Sequence, residues 1–321
     1  MSYIIFGGSG FVGRYLVEEL SATDKVVIAD LTKPTYKFKE NVSYVKVDVR
    51  KPQTFNKINL KANDVVVNLA ANQYHMKVPK RGRNEYFSAT NTKGVANILA
   101  WMEQKGAIHM VQFTTDMTYG KPQYLPVDSK HPQVPFGPYG QSKKDAEDIC
   151  RDYRKKGFQI TIFRPRMING PGRLGILKKL FVLIKHNLPV PTIGSGKNCY
   201  QMISVFDCVS ATVLAIKKGC PNREYNLGSE NAPATGSLLK ELVKSVGSKS
   251  PVIPTPGRLV KLALGLLGAV GIEIMYKEQY MIADENYILD ISETMNDLGW
   301  KPKYNDQDMI IQAYKEWAEH L

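Results

Sequence analysis

Hydrophobic residues in the first half of the chain occur in short runs that are separated by longer amphipathic or polar segments. A continuous apolar run such as DVVVNLAA at 64–71 is typical of a parallel strand buried on both faces. Strand-like runs that alternate with helical segments predict a doubly wound parallel sheet in an α/β protein. The predicted strands are YIIF at 3–6, VVIAD at 26–30, VSYVKVDV at 42–49, DVVVNLAA at 64–71, IHMVQFT at 108–114 and QITIFRP at 159–165.

The pattern changes at Gly170, where a glycine-rich loop, a helix and a turn-rich stretch at 189–198 lead away from the sheet. The segments 202–218 and 224–229 return to it. We therefore predict a Rossmann-type domain and a smaller C-terminal substrate-binding lobe. The domain spans residues 1–168 and is rejoined by 201–228, and the lobe comprises 169–200 and 229–321.

The composition of the 321 residues fits a globular protein with a large core, because 43% of them are hydrophobic. A net charge of +13 suits nucleic acid, a membrane surface or an anionic small molecule. The basic residues are spread out and no nucleic-acid motif occurs, which favours an anionic ligand. No run reaches the roughly 18 to 20 apolar residues of a membrane span, and no signal peptide precedes the first strand. We expect a cytoplasmic protein.

Cysteine and histidine spacing offers no metal site. The four cysteines form no C-x-x-C pair and the five histidines show no ligand spacing, so we predict reduced thiols and no bound metal. One apolar run, LALGLLGAVGI at 262–272, is too short to cross a bilayer. We expect it to cap the substrate cleft or to form a subunit contact, with attachment to a membrane surface as the alternative.

A glycine-rich turn follows the first strand, with Gly7, Gly10 and Gly13 in a G-x-x-G-x-x-G spacing. The first glycine permits a tight turn, the second leaves room for a pyrophosphate, and the third lets the helix pack closely on the strands. The amides at the helix start, including those of Phe11 and Val12, then face the phosphates. This context of strand, turn and helix predicts a dinucleotide site.

Acidic residues at the ends of the next strands refine the cofactor. Asp30 closes the second strand, where a carboxylate accepts hydrogen bonds from ribose hydroxyls and repels the extra phosphate of NADP. It therefore favours NAD, although Lys33 keeps NADP open as an alternative. Asp48, followed by Val49, is predicted to lie near the adenine. The small residues Ala70 and Ala71, which follow Leu69, permit close approach of a ligand.

A tyrosine and a lysine four residues apart, Tyr139 and Lys143, lie on one face at the start of a predicted helix. A phenol has an ordinary pKa of about 10, but a nearby ammonium and a cationic nicotinamide both favour the phenolate. Such a base takes the hydroxyl proton while a hydride leaves carbon. The hydroxyl of Thr115 can hold the same substrate oxygen in place.

The motifs GGSGFVG, NLAA, Asn91, TTDMTYG and YGQSK occur in an order that resembles the extended short-chain dehydrogenase/reductase family, in its NAD-dependent epimerase/dehydratase group. The resemblance covers nearly the whole chain. It implies that Tyr139 is the catalytic acid/base, that Lys143 binds the nicotinamide ribose and tunes Tyr139, that Thr115 occupies the Ser/Thr position, and that Asn91 supports a proton relay. The expected cofactor contacts are Gly7, Gly10, Phe11, Val12, Gly13, Asp30, Asp48, Val49, Leu69, Ala70, Ala71, Asn91, Thr114, Tyr139, Lys143, Arg164 and Pro165.

The chain departs from the family pattern where the substrate is expected. Asp116 matches the acid of the dehydratase motif, but Met117 replaces its glutamate, and a thioether cannot abstract a proton. Met167 replaces an asparagine, and Tyr200 lies near the position of a diphosphate-binding arginine. Arg166, Arg173, Lys178 and Lys179 are candidate replacements as phosphate partners. The expected substrate contacts are Thr115, Asp116, Met117, Arg166, Met167, Arg173 and Tyr200.

The sequence therefore favours NAD-dependent 4-epimerisation of a nucleotide sugar through a transient 4-keto sugar. The tail at 280–305 resembles relatives in surface-polysaccharide synthesis and also 3β-hydroxysteroid-dehydrogenase-like proteins. Net NAD(P)-dependent reduction or oxidation of a ketosugar or of an apolar alcohol is the alternative, and a non-catalytic NAD-sensing protein is a third hypothesis. The resemblance also implies a homodimer formed through helices at 85–104 and 141–156.

Overall fold

A computed structural model describes residues 1–173, 175 and 177–319, and its centre is a parallel sheet of seven strands. These strands are β1 (Ser2–Phe6), β2 (Lys25–Asp30), β3 (Val42–Lys46), β4 (Val65–Asn68), β5 (His109–Phe113), β6 (Gln159–Pro165) and β10 (Glu224–Leu227). They lie in the order 10-6-5-4-1-2-3. The chain reverses direction across the sheet between β1 and β4, which is the place where such sheets bind ligands. The predicted Rossmann-type fold is confirmed.

The helices of the described residues are α1 (Phe11–Leu20), α2 (Arg83–Asn91), α3 (Lys93–Lys105), α4 (Pro138–Lys155), α5 (Leu177–Lys185), α6 (Val205–Lys217), α7 (Thr235–Ser245), α8 (Gly257–Ala269), α9 (Lys277–Tyr280), α10 (Ser292–Leu298) and α11 (Asp306–Glu319). Some of them cover the two faces of the sheet. One buried core combines the sheet with α1 and α6. The other combines it with α3 and α4, so the apolar strands are buried on both sides.

Four short strands lie outside the central sheet and pair in twos. β7 (Met167–Asn169) pairs with β9 (Met202–Ser204), and β8 (Val190–Ile193) pairs with β11 (Val252–Thr255). A third core joins α5, α7 and α11 around side chains such as Phe181, Leu242 and Ile310. Residues 224–227 return to the central sheet beside β6. The proposed boundaries of the Rossmann domain and the lobe stay a prediction.

Two local predictions differ from the structure. The helix expected at 85–104 is divided at Thr92, whose Oγ1 donates a hydrogen bond to the Ser142 carbonyl oxygen at 2.9 Å and ties this point to α4. The stretch 189–198, predicted to be turn-rich and to leave the central sheet, also contains the short strand β8. Its partner β11 lies far along the chain, so local sequence gives no sign of the pairing.

Two features are absent from the part of the chain that the structure describes. None of its helices combines the length and the apolar character that crossing a bilayer requires. No three His, Cys, Asp or Glu side chains in these residues come together as metal ligands would. The four cysteines are free, and three of them are buried.

The close packing of α1 on the glycine turn predicts a strong effect of one methyl group. A Cβ at Gly13 would lie 2.5 Å from the Gly7 carbonyl oxygen and 2.6 Å from the Gly8 Cα. We expect Gly13→Ala to lower the free energy of unfolding by about 1–3 kcal/mol through overpacking, measured by urea denaturation. Gly268→Ala is the control, because a Cβ there meets no described atom within 4 Å. It should be neutral or stabilise α8 by about 0.5–1 kcal/mol. Equal effects of the two changes would contradict this account.

Candidate active site

The glycine turn between β1 and α1 forms one end of the site. Gly7 has a φ of 78°, and a Cβ there would lie 2.7 Å from the Ala70 amide nitrogen, so both the turn and the approach of the loop after β4 require glycine. In the described residues no side chain caps the start of α1 at Gly10, and no acidic residue lies in its first turn. The amides of Phe11 and Val12 therefore keep their attraction for an anion.

A carboxylate lies beside this turn at the end of β2. Asp30 accepts hydrogen bonds from the main-chain N–H groups of Ser9 and Thr32, each at 3.1 Å, which holds it next to the turn. A cleft of about 580 Å³ opens here and is also lined by Arg14, Tyr36 and Arg173. Uncapped amides that can bind a pyrophosphate and a half-buried carboxylate that can bind a ribose fit NAD. Lys33, the residue that kept NADP open as an alternative, is exposed.

Asp48, which is predicted to lie near the adenine, and several other predicted cofactor residues lie at the same edge of the sheet. Asp48 receives a bidentate contact from Arg50, with Nε–Oδ1 at 2.8 Å and Nη2–Oδ2 at 2.7 Å, and this pair lowers the pKa of Asp48. The Val49 carbonyl oxygen accepts from Asn97 at 2.9 Å. Leu69, Ala70 and Ala71 are half-buried in the loop after β4. The contact of Asp48 with the adenine and those of the other residues with the cofactor stay predictions.

The tyrosine and the lysine at the start of α4 are both buried. Lys143 Nζ donates to the Phe113 carbonyl oxygen at 3.1 Å, and burial lowers the pKa of Lys143 to about 8, against the opposing charge of Glu147. Asn91 donates to Ser142 Oγ at 3.0 Å and accepts from the Asn72 N–H at 2.8 Å. Its side chain thus connects α2, α4 and the loop after β4.

Several charges act on the Tyr139 phenol. Burial raises the pKa of Tyr139, while the Arg173 guanidinium and a hydrogen bond with Thr115 lower it, and Asp116 and Glu278 raise it. The sequence predicted Lys143 as the cation that tunes this phenol. The structure adds Arg173, which arrives on the loop after β7 and belongs to no tyrosine-lysine motif.

The residues after β5 and β6 form a buried ionic cluster beside Tyr139. Thr115 Oγ1 donates to Asp116 Oδ1 at 3.0 Å, and Asp116 is ion-paired with Arg166. The Arg166 guanidinium lies between the rings of Tyr200 and Tyr287, 4.2 and 4.1 Å from their centroids. Its Nη2 is buried and has no hydrogen-bond partner among the described residues.

Two predicted cofactor residues form a network beneath the site. Arg164 pairs with the buried Glu147 at 2.6 Å and also donates to the Tyr119 hydroxyl oxygen at 2.8 Å. Thr114 Oγ1 donates to Glu147 at 2.7 Å, and Pro165 is buried at the end of β6. These contacts hold α4 against the sheet. They give the Thr114 and Arg164 side chains protein partners, so any cofactor contact would have to share these groups.

The remaining substrate candidates separate into two groups. Arg173 lies at the cleft, where its Nη2 contacts His75 Nδ1 at 2.6 Å, and burial lowers the pKa of His75 to about 4. Met117 packs against the aromatic cluster that contains Tyr139. Met167 packs instead against the core of α5, α7 and α11. The exposed Lys178 and Lys179 lie on α5, and Lys179 Nζ donates to the Ile274 carbonyl oxygen at 2.6 Å.

Glu278 is a buried carboxylate that the sequence did not indicate. Its Oε1 accepts from the Tyr139 N–H and its Oε2 from the Gly140 N–H, both at 3.2 Å. The Tyr74 hydroxyl also donates to it. A carboxylate at a helix N-terminus satisfies free amides and complements the helix dipole. The C-terminal part of the chain thus fixes the start of the helix that carries Tyr139, and no local motif around Glu278 announces this contact.

A dinucleotide turn and a buried tyrosine-lysine pair at the carboxyl edge of one parallel sheet define an NAD-dependent enzyme of the short-chain dehydrogenase/reductase type. The model of the NAD dependent epimerase/dehydratase family matches residues 3–228. The chain belongs to this family, as the sequence resemblance indicated.

Relatives of this family cover nearly the whole chain. UDP-glucose 4-epimerase of Lacticaseibacillus casei is 26% identical and covers 100% of this chain and 97% of its own. A second relative, 29% identical, is N-acetyl-alpha-D-glucosaminyl-diphospho-ditrans,octacis-undecaprenol 4-epimerase of Escherichia coli O157:H7. The match covers 85% of this chain and 80% of the relative. The structure of UDP-glucuronic acid 4-epimerase from Bacillus cereus, in complex with UDP-glucuronic acid and NAD, aligns with a TM-score of 0.79 at 18% identity and covers 100% of both chains.

The influence of Arg173 on the phenol predicts a shift in pH dependence. Arg173→Met removes a cation that lowers the Tyr139 pKa, so that pKa rises and less phenolate is present at a given pH. We expect the acidic limb of nicotinamide reduction, followed in single turnovers at saturating substrate, to move to higher pH. Each unit of movement slows the step about tenfold below the limb. Arg173→Lys keeps the charge and should move the limb less. An unchanged limb in Arg173→Met would contradict the influence.

The contacts of Glu278 predict a stability difference between two glutamates of one segment. Glu278→Gln leaves a buried amide at the start of α4 facing an NH₂ group instead of an acceptor. We expect the free energy of unfolding to fall by about 1–3 kcal/mol in urea titrations. Glu273→Gln is the matched control, because its ion pair with Arg83 is partly exposed and contributes less than about 1 kcal/mol. Equal losses in the two variants would show that the buried contacts of Glu278 contribute no more to the free energy of unfolding than the partly exposed ion pair of Glu273.

Proposed function

We propose that the protein is an NAD-dependent nucleotide-sugar 4-epimerase that acts through a transient 4-keto sugar in surface-polysaccharide precursor synthesis. The observation that carries the proposal is the set of groups around Tyr139. One acid/base phenol, a hydrogen-bonding Thr115 and a buried Lys143 are present, while Met117 packs in the same cluster where a dehydratase has its glutamate. This set supports reversible alcohol oxidation and lacks the glutamate that follows the acid in the dehydratase motif.

The chain's own groups supply the proton transfer. The Tyr139 phenolate takes the proton of the C4 hydroxyl as the hydride leaves that carbon. Thr115 Oγ1 contacts Asp116 Oδ1 and accepts a hydrogen bond from the Met117 N–H, which holds it in position to bind the substrate hydroxyl. NAD, when bound, accepts the hydride and later returns it. Tyr139 gives its proton back to the oxygen when the hydride reaches the other face of the sugar.

The buried arginines support an anionic substrate. Arg173 lies at the mouth of the cleft beside the glycine turn, and Arg166 keeps one N–H group free of described partners. Guanidinium groups suit diphosphate oxygens because they donate in pairs. The names of the relatives also support a sugar diphosphate, carried by a nucleotide in one and by undecaprenol in the other. The nucleotide sugar is our first choice of substrate.

A second candidate is net NAD(P)-dependent reduction or oxidation of a ketosugar or an apolar alcohol. Two tyrosines favour it, because the rings of Tyr200 and Tyr287 cover the Arg166 guanidinium. Tyr200 also lies near the position where the family pattern has a diphosphate-binding arginine. Such a reaction changes the nicotinamide absorbance in proportion to product. An epimerase leaves that absorbance unchanged over a full turnover.

The cytoplasmic location and the homodimer stay predictions. From the family resemblance we expect the dimer contact at 85–104 and 141–156, which lie on α2, α3 and α4. The large exposed hydrophobic side chains of the described residues lie outside these helices. A dimer through them would therefore depend on smaller and more polar contacts.

The deciding experiment incubates the protein with UDP-, dTDP-, GDP- and CDP-hexoses and with a polyprenyl diphosphate N-acetylhexosamine, and follows the sugars by NMR. We expect a C4 epimer of at least one substrate with no net change in nicotinamide absorbance. Tyr139→Phe should retain NAD and lower turnover by roughly 100-fold or more.

Failure to form an epimer from any of these sugars would overturn the proposal. Stoichiometric oxidation or reduction of the nicotinamide would establish the second candidate instead. Full activity of Tyr139→Phe would remove the phenol from the mechanism.

A further inference from the structure

The helix α8 presents an apolar ridge to the outside of the protein. None of its residues is buried. Leu259, Leu262, Leu266 and Val270 are exposed by 64%, 62%, 62% and 74%. Their spacing of three, four and four residues places them on one side of the helix. The exposed Ile272 and Ile274 continue beyond its end, and these six side chains are called the α8 ridge below.

The other side of α8 is less exposed and combines half-buried apolar residues with polar and small ones. Lys261 donates to the Met281 carbonyl oxygen at 2.9 Å and is ion-paired with Asp284. Gly265 faces the Tyr280 hydroxyl, with 3.5 Å from its Cβ position to that oxygen. These contacts turn the α8 ridge away from the protein, so the helix is apolar on its exposed side as well. A contiguous exposed apolar surface of this kind marks a binding surface.

Basic groups flank the end of the ridge on two sides. Lys80 Nζ lies 2.6 Å from the Cβ position of Gly271, in an exposed loop that also holds Lys77 and Arg81. On the other side, Lys179 Nζ reaches the Ile274 carbonyl oxygen from the exposed start of α5. The acidic neighbours are neutralised, since Glu273 is paired with Arg83 and Asp284 with Lys261.

We propose that the α8 ridge and these lysines and arginines dock on the surface of an anionic phospholipid bilayer. Leucines inserted beside basic residues at the headgroups are the pattern of an interfacial helix, and thirteen residues lie in the interface without crossing it. A second copy of the chain fits less well. Its symmetric contact would bring the basic flanks of both copies together, which is repulsive.

The ridge is continuous with the candidate active site. Beyond Ile274 the chain stacks Tyr276 on Tyr74, with centroids 4.3 Å apart, and then places Glu278 on the amides at the start of α4. Docking would therefore bring the cleft close to the bilayer surface. The proposal concerns this surface alone and does not depend on which reaction the enzyme performs.

The test is co-sedimentation of the full chain with vesicles of phosphatidylglycerol and phosphatidylcholine in equal parts, and with phosphatidylcholine alone. We expect binding to the anionic vesicles that weakens as salt rises. Leu262→Ser with Leu266→Ser should lower the partition coefficient more than tenfold. Lys80→Gln with Arg81→Gln should lower it about fivefold per charge on the anionic vesicles only.

Leu188→Ser is the matched control, since Leu188 is 47% exposed but lies outside the ridge, and it should bind like the unaltered chain. Circular dichroism checks that each variant is folded. Absence of binding, or equal binding by the folded double leucine variant, overturns the proposal. Light scattering without vesicles tests whether a second copy of the chain covers the ridge instead. A dimer that the double leucine change converts to a monomer would show this and would also overturn the proposal.

Discussion

The start of α4 is held in place by buried charges, and the geometry of the site depends on it. Glu147, one turn beyond Lys143, is paired with Arg164 of β6, while Glu278 binds the first amides of the same helix. A buried charge that loses its partner is costly, commonly about 3–5 kcal/mol, so such pairs define the position of a helix narrowly. Tyr139 and Lys143 lie between these two anchors.

The groups around Tyr139 shift its pKa in opposite directions. Burial, Asp116 and Glu278 favour the neutral phenol, whereas Arg173 favours the phenolate. Burial lowers the pKa of Lys143 to about 8, against the opposing charge of Glu147. Opposing influences on one phenol suit a reaction in which that phenol gains and loses one proton in turn.

The distribution of positive charge gives a second view of the molecule. Part of it lies inside, as Arg166 beneath Tyr200 and Arg173 at the cleft, and part lies outside, around the α8 ridge. A net charge of +13 could not distinguish these locations. The same segment, from Ile272 to Glu278, leads from the outer surface to the catalytic helix. The α8 ridge and the start of α4 are therefore neighbours in the fold, although they lie far apart in the sequence.

The sequence by itself determined the features that are set by local chemistry. Apolar runs specify strands buried on both faces, Gly7 and Gly13 are required by a positive φ and a close helix contact, and four-residue spacing puts Tyr139 and Lys143 on one helix face. Only the tertiary structure decided the pairing of β8 with β11, the effect of Arg173 on Tyr139, the capping of α4 by Glu278 and the outward direction of the α8 leucines. The physical reason is that hydrogen bonds, charges and burial act through space between residues far apart in the chain. Periodicity and motif spacing report only what neighbours along the chain impose on one another.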